Sequence, residues 1–200
     1  MEVIGLTSEH AGRIHELEAQ VYPPELTAGE EVIRKNLESA VEGNENLSWG
    51  VFDGDTLVGY LIAWVTGSLV EGREKEDVVL VEDIAVLPGY QSVFFTLLEA
   101  LAEDARSRGG ELAIEGTSRE DVFRIYTRHE GTFKDLGYFI AGSHEYWDEE
   151  IQETMVWVRF EPLEREPGDQ DSDEPSEEEE SPGEEETSVE GRDEPPGQTA

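Results

Sequence analysis

A mixed α/β domain with helices on the faces of a mixed sheet is predicted for residues 1–160, in the order β-α-α-β-β-β-α-β-α-β-β. Three observations carry that prediction. Short β-prone apolar runs alternate with stretches whose apolar residues recur at helical spacing. Asp53-Gly54-Asp55 joins two such runs as a hairpin turn, where glycine supplies the positive φ a tight reversal needs. Composition then changes sharply: residues 161–200 hold seventeen acidic and two basic residues, with glutamate runs at 177–180 and 184–186 and most of the prolines. Such a segment buries too little apolar surface to offset its ordering entropy, so an acidic disordered tail is expected from 161 to 200.

Residues 3–6 read as a first strand. Ser8 is expected to cap a helix bearing Ile14, Leu17 and Val21 on one face, ended by Pro23-Pro24. Thr27 precedes a second helix with Val32, Ile33, Leu37, Ala40 and Val41 at helical spacing, stopped by Gly43. The hairpin joins residues 47–52 to 57–65. A long strand follows at 78–87, interrupted by Glu82-Asp83 and closed by Pro88. Phe94, Leu97, Leu98, Leu101 and Ala105 form the apolar stripe of a helix that Gly109-Gly110 terminates. Leu112-Ala113-Ile114 is a short buried strand. One helix carrying Val122, Ile125, Tyr126, His129, Phe133 and Leu136 is expected next, weakened at Gly131 and ended by Gly137. Strands at 138–141 and 154–160 complete the domain, with residues 146–150 expected in the turn between them.

The chain of 200 residues carries 49 acidic and 14 basic side chains, a formal charge of −35. Phosphate backbones need a basic footprint, so no nucleic-acid partner is expected, and no anionic membrane surface either. The absence of cysteine excludes disulfides, thiolate metal sites and a cysteine nucleophile. The four histidines are scattered without ligand spacing, so no metal is expected. With no apolar run near the ~20 residues of a membrane span and no basic, apolar leader at the start, a cytoplasmic location is expected.

Three strings carry a resemblance to the GCN5-related N-acetyltransferase (GNAT) superfamily. They are Val51-Phe52-Asp53-Gly54-Asp55-Thr56-Leu57-Val58-Gly59-Tyr60, Val81-Glu82-Asp83-Ile84-Ala85-Val86-Leu87-Pro88-Gly89-Tyr90-Gln91, and Phe133-Lys134-Asp135-Leu136-Gly137-Tyr138. In order they resemble the family's second and third strands, its fourth strand with the approach to the cofactor loop, and the end of its last helix. The resemblance implies a GNAT-like acyl-CoA N-acyltransferase fold, with acetyl-CoA as co-substrate and a small-molecule or peptide amine as acceptor. It also makes a homodimer a family-typical assembly.

The implied cofactor contacts are Ile84, Ala85 and Val86 on the fourth strand, and Gln91, Ser92, Val93, Phe94, Phe95 and Thr96 at the start of the next helix. The family's loop pattern Q/R-x-x-G-x-G/A keeps Gln91 but has Phe94 and Thr96 at its small-residue positions. Backbone N–H groups at a helix start favour a pyrophosphate by direction and by dipole. Arg106, Arg108, Arg124 and Arg128 could offset the acidic field around such a ligand. Catalysis by resemblance needs a base for the amine, for which Glu82 matches, and an acid for the leaving thiolate. Phe133 stands where the family places its tyrosine acid, and Tyr126 is the substitute two turns earlier. The same residues leave open a catalytically inactive GNAT-like binding or regulatory domain.

Many carboxylates with only three lysines (Lys35, Lys75 and Lys134) make a surface that repels itself unless salt screens it, which suggests a salt-loving host. The melting temperature, followed calorimetrically, is expected to rise from low to molar salt; a flat response would exclude that adaptation.

Overall fold

The computed structural model describes residues 1–39, 46–73, 75–107, 112–149 and 151–163. Strand β1 (Glu2–Gly5) leads through a 3-10 turn at Ser8–His10 into helices α1 (Ala11–Val21) and α2 (Glu30–Ser39). Strands β2 (Trp49–Asp53), β3 (Thr56–Gly67) and β4 (Asp77–Val86) follow, then α3 (Val93–Ser107) and β5 (Ala113–Arg119). Helices α4 (Glu120–Arg128) and α5 (Glu130–Asp135) precede the hairpin of β6 (Tyr138–Asp148) and β7 (Glu153–Pro162). The seven strands form one sheet in the order β1-β2-β3-β4-β5-β7-β6. Every neighbouring pair is antiparallel except β4 with β5. Among the described residues, no helix is long and apolar enough to cross a membrane.

The expected elements are present, with five differences. Thr7, in extended conformation, caps the first turn instead of Ser8, and the His10 Nδ1 accepts the Thr7 N–H at 3.0 Å. The single helix expected over 122–136 is two. His129 leaves helical geometry, and its N–H closes α4 on the carbonyls of Ile125 and Tyr126 at 3.0 and 3.2 Å. Strand β5 runs through Arg119 because β7 continues to pair with it beyond Ile114. The turn expected at 146–150 begins later, since Tyr146, Trp147 and Asp148 pair with Met155, Thr154 and Glu153. This polar stretch is held as strand by its partner and by the His144 ring stacked on Trp157 at 5.1 Å. Strand β7 continues through Glu161 and Pro162. Ala40, Val41, Gly43, Gly109, Gly110 and the tail from residue 164 lie outside the described residues.

Helices α1 and α2 cover one face of the sheet, where Leu6, Ile14, Leu17, Ile33, Leu37, Tyr60 and Ile62 pack together. Helices α3, α4 and α5 cover the other, over Val51, Val58, Leu61, Val79, Leu97, Leu101 and Phe160. Glycine at 59 lets α3 begin directly on β3: a Cβ there would stand 2.6 Å from Val93 Cγ1, 3.3 Å from Val86 Cγ2 and 3.4 Å from Leu97 Cδ1.

A buried ionic cluster lies beside the paired stretch of β4 and β5. The Arg159 guanidinium of β7 meets Glu115 of β5 at 2.5 Å, Glu161 at 3.1 Å, and Glu76 just ahead of β4. Glu115, with no exposed surface, also accepts from the Ser68 hydroxyl at 2.7 Å and the Leu69 N–H at 2.9 Å. All the donors that a buried carboxylate requires are thus supplied.

Gly59→Ala is expected to lower stability by about 1–3 kcal/mol, the usual range for overpacking a core, because β-branched Val93 has little rotamer freedom to yield. Urea unfolding with an unchanged m-value is the measurement; an unaltered midpoint would show that α3 can lift away freely.

Candidate active site

The one parallel pairing in the sheet stops early. Val78, Val79, Leu80 and Val81 pair with Ala113, Ile114, Glu115 and Gly116, and beyond them β4 continues to Val86 and β5 to Arg119 without pairing to each other. Strand β4 also changes face at this point. Ile62 of β3 opposes Asp83 and Ala63 opposes Val81, so Glu82 is the extra residue of a β-bulge. Before the bulge Val79 and Val81 face the α3 side; after it Ile84 and Val86 do, while Ala85 joins the core under α1 and α2. Without the extra residue, simple alternation would place Asp83 on the α3 side with Val81. The bulge instead lets Asp83 reach residues of α1.

A cavity of about 480 Å³ occupies the parted region. Glu82, Asp83 and Ile84 border it from β4, Gly116, Thr117, Ser118 and Arg119 from β5, and Tyr22, Leu26 and Ile33 from the α1–α2 side. Ser118, only 7 % exposed, has a buried hydroxyl with no hydrogen-bond partner among the described residues. An orphaned buried hydroxyl is costly unless a ligand or water completes it. No group of three or more His, Asp or Glu among the described residues could hold a metal ion.

On the α1–α2 side the cavity is backed by a connected set of acids and phenols. The Tyr60 hydroxyl lies 3.0 Å from Glu18 Oε1 and bonds Asp83 Oδ2 as well. Tyr22 donates to Asp83 Oδ1 at 3.1 Å, and the Ala28 N–H donates to Glu18 Oε2 at 2.8 Å. Burial raises the carboxyl pKa values of both Glu18 and Asp83, against hydrogen bonds that pull the other way. Burial and then the Asp83 charge raise both phenols, so Tyr22 and Tyr60 stay protonated. Glu82, more open to solvent at the cavity mouth, is also raised, first by partial burial and then by the neighbouring Asp83.

The start of α3 sits after a tight turn in which Gly89, at φ +94°, allows the Tyr90 N–H to reach the Leu87 carbonyl at 3.0 Å. Tyr90 then ties this loop to the β2–β3 turn by donating to Asp53 at 3.0 Å. The Val93 N–H bonds the Tyr90 carbonyl at 2.8 Å; those of Phe94 and Thr96 make longer bonds of 3.3 and 3.5 Å to Gln91 and Ser92. Val93 is buried against Gly59. Phe94 stacks on Tyr126 at 5.8 Å and Phe95 meets the His129 ring at 5.0 Å, so both phenylalanines turn toward α4 and neither borders the cavity. Arg124 is held by Glu120, and the Arg106 Nε donates to the Ala102 carbonyl at 3.2 Å; Arg108 lies outside the described residues.

Tyr126 and Phe133 both line the cavity and pack edge-to-face at 5.7 Å over Phe160. The Tyr126 hydroxyl makes no hydrogen bond among the described residues, and burial raises its pKa. The cavity therefore brings Glu82, Ile84 and Tyr126 together, with residues 91–96 set apart at the start of α3.

Glu18, Tyr22, Tyr60 and Ser118 are site residues that the sequence did not single out. Glu18 left a signal: it lies four residues after Ile14 on the apolar face of α1, an acid where the pattern calls for a hydrophobe. Ser118 left none, being a small polar residue in a strand longer than its apolar run.

A raised folded pKa means that native Glu18 binds its proton more tightly than the unfolded chain does, so its share of stability is lost as pH rises. The melting temperature of Glu18→Gln relative to the wild type is expected to climb steadily from about pH 4 upward, where unfolded glutamate ionises. Parallel pH profiles would show an unperturbed carboxyl.

A model of the acetyltransferase (GNAT) family matches residues 12–129, more than half of the chain. Among curated proteins, none matches it in sequence. Its fold is similar to that of the GphF GNAT-like decarboxylase in complex with isobutyryl-CoA, with a TM-score of 0.60 and 17% identity, covering 82% of this chain and 100% of that one. The ribosomal-protein-S18-alanine N-acetyltransferase from Escherichia coli gives 0.57 and 15%, covering 84% and 97%. Arabidopsis thaliana Naa50, in complex with a bisubstrate analogue, gives 0.58 and 11%, covering 81% and 98%. With the family model spanning the β2–β3 hairpin, the bulged β4 and α3, this chain belongs to the GNAT acetyltransferase family.

Proposed function

We propose that the protein transfers an acetyl group from acetyl-CoA to a primary amine, with the parted β4–β5 edges as the reaction site. The observation that carries this reading is a cavity bordered by strand edges that lack each other as partners, with an orphaned hydroxyl in its wall. The inner edge of β4 at Ile84, Ala85 and Val86 lacks a partner strand; the Ile84 carbonyl accepts from the Tyr22 hydroxyl at 3.3 Å, and the remaining backbone groups of that edge are suited to hydrogen-bond the amides of a pantetheine arm, as a further strand would. Ser118 Oγ offers an additional partner from the opposite strand.

Glu82 is the base in this reading. It stands at the cavity mouth, and its raised pKa brings it nearer the range in which a base can both take and hold an amine proton. The amine nitrogen then bonds the thioester carbon, the C–S bond breaks, and the sulfur departs as thiolate. Tyr126 retains its proton through the neutral range and serves as a hydrogen-bond donor toward that sulfur. Its raised pKa makes full proton transfer unfavourable, so water delivers the proton. The acidic wall formed by Glu82 and Asp83 favours an acceptor that arrives as an ammonium.

One feature favours the second reading, a binding or regulatory domain without turnover: Phe133, with no proton to give, stands where the resemblance implies the family's tyrosine. Calorimetric titration with acetyl-CoA at low and molar salt, followed by a panel of amines, separates the two. Saturable binding with acetylated product supports the enzyme; binding without product supports the alternative.

In the enzyme, Glu82→Gln is expected to lower kcat about 10²–10⁴-fold, the usual contribution of a general base, with acetyl-CoA affinity little changed. Ser118→Ala is expected to weaken acetyl-CoA about 2–10-fold, one neutral hydrogen bond, without loss of melting temperature. Phe133→Tyr is expected to raise turnover. An unchanged kcat in Glu82→Gln would remove that residue from the chemistry.

A further inference from the structure

Tyr60 has one hydroxyl proton and two carboxylates, Glu18 Oε1 and Asp83 Oδ2, on the same phenolic oxygen. It can donate to only one. The other contact brings oxygen lone pairs together unless that carboxyl itself carries a proton and donates to the phenol. Two buried carboxylates this close do not both ionise.

The neighbours decide which one holds the proton. Asp83 accepts from two hydroxyls, Tyr22 on Oδ1 and Tyr60 on Oδ2, the Tyr22 proton being shared with the Ile84 carbonyl at 3.3 Å. Glu18 receives the Ala28 N–H on Oε2, which leaves Oε1 free to carry a proton, and it is 2 % exposed. The titratable groups facing the pair are His15 of α1, Tyr22 just after it, Tyr60 of β3 and Glu82 of β4. Asp83 borders the cavity beside Glu82, and the cavity's opposite wall carries the partnerless, buried Ser118 hydroxyl.

We propose that Glu18 is protonated at neutral pH and donates to the Tyr60 oxygen, which turns the Tyr60 proton onto Asp83 and fixes Asp83 as the anion that receives the acceptor's ammonium. The chain of donors runs one way, Glu18 to Tyr60 to Asp83. Its end is a carboxylate whose orientation is set from behind, while Glu82 remains free to take the proton. Glu18 and Tyr60 act through Asp83 and are positioning residues. The assignment rests on the amine acceptor proposed above, and it selects a cationic acceptor over a neutral one.

The test uses the full-length protein. Glu18→Gln reproduces the protonated acid, since its amide can donate to Tyr60 and accept from Ala28. It is expected to lose the infrared carbonyl band of a protonated carboxyl that the wild type shows. Asp83→Asn is expected to raise acceptor KM tenfold or more with acetyl-CoA affinity unchanged. Tyr60→Phe, which cuts the link without touching either acid, is expected to raise acceptor KM as well and to move the pH dependence of KM. Absence of the band in the wild type, its persistence in Glu18→Gln, or an unchanged KM in Asp83→Asn would overturn the proposal. If no amine is acetylated by any form, the functional reading fails, while the infrared comparison still decides where the proton resides.

Discussion

The rest of the structure depends on an interruption in hydrogen bonding. Strands β4 and β5 form the sheet's one parallel pair, and they hold together for four residues each before separating. Separation of this kind leaves backbone donors and acceptors without partners, which a folded chain tolerates where a ligand or water completes them. The bulge at Glu82 is the local device that accompanies it. One inserted residue reassigns which side chains of β4 face which layer, so apolar Ile84 and Val86 remain with α3 while Asp83 enters the layer of α1.

That reassignment explains why so acidic a chain keeps carboxylates in its interior. Glu18 and Asp83 are each raised by burial, and each is surrounded by donors from a different element: α1, the segment before α2, and β3. The phenols of Tyr22 and Tyr60 supply protons without adding charge, which suits a region where one more cation would neutralise the anion left for a ligand. Arg159 lies elsewhere, and Arg119, which borders the cavity from β5, is committed to Glu153 of β7.

Much of the architecture was legible in the sequence because the cues were local. Asp53-Gly54-Asp55 forms the hairpin, and Pro88-Gly89 the turn before α3. Glu82, Ile84 and Tyr126 all border the cavity. What the pattern missed has physical causes. A helix with apolar residues at every third or fourth position read as continuous, with only a weakening at Gly131, and the break falls at His129, where two carbonyls compete for one N–H. The polar stretch around Tyr146 is strand only because β7 lies beside it. The Glu18–Tyr60–Asp83 contact joins residues 42 and 23 positions apart, and periodicity carries no information about such meetings.

The ionic cluster around Arg159 gives the fork in the sheet a definite pivot. Its guanidinium reaches β5, the residue after its own strand's core, and the approach to β4, so both prongs are riveted on the side where they still touch. A lysine, with a single point of charge, could not span those three carboxylates in one plane. Beyond that pivot β4 stays paired to β3 as far as Val86 and β5 to β7 as far as Arg119, so each prong is braced from its outer side and the width of the gap at Glu82 follows from where the rest of the sheet holds them.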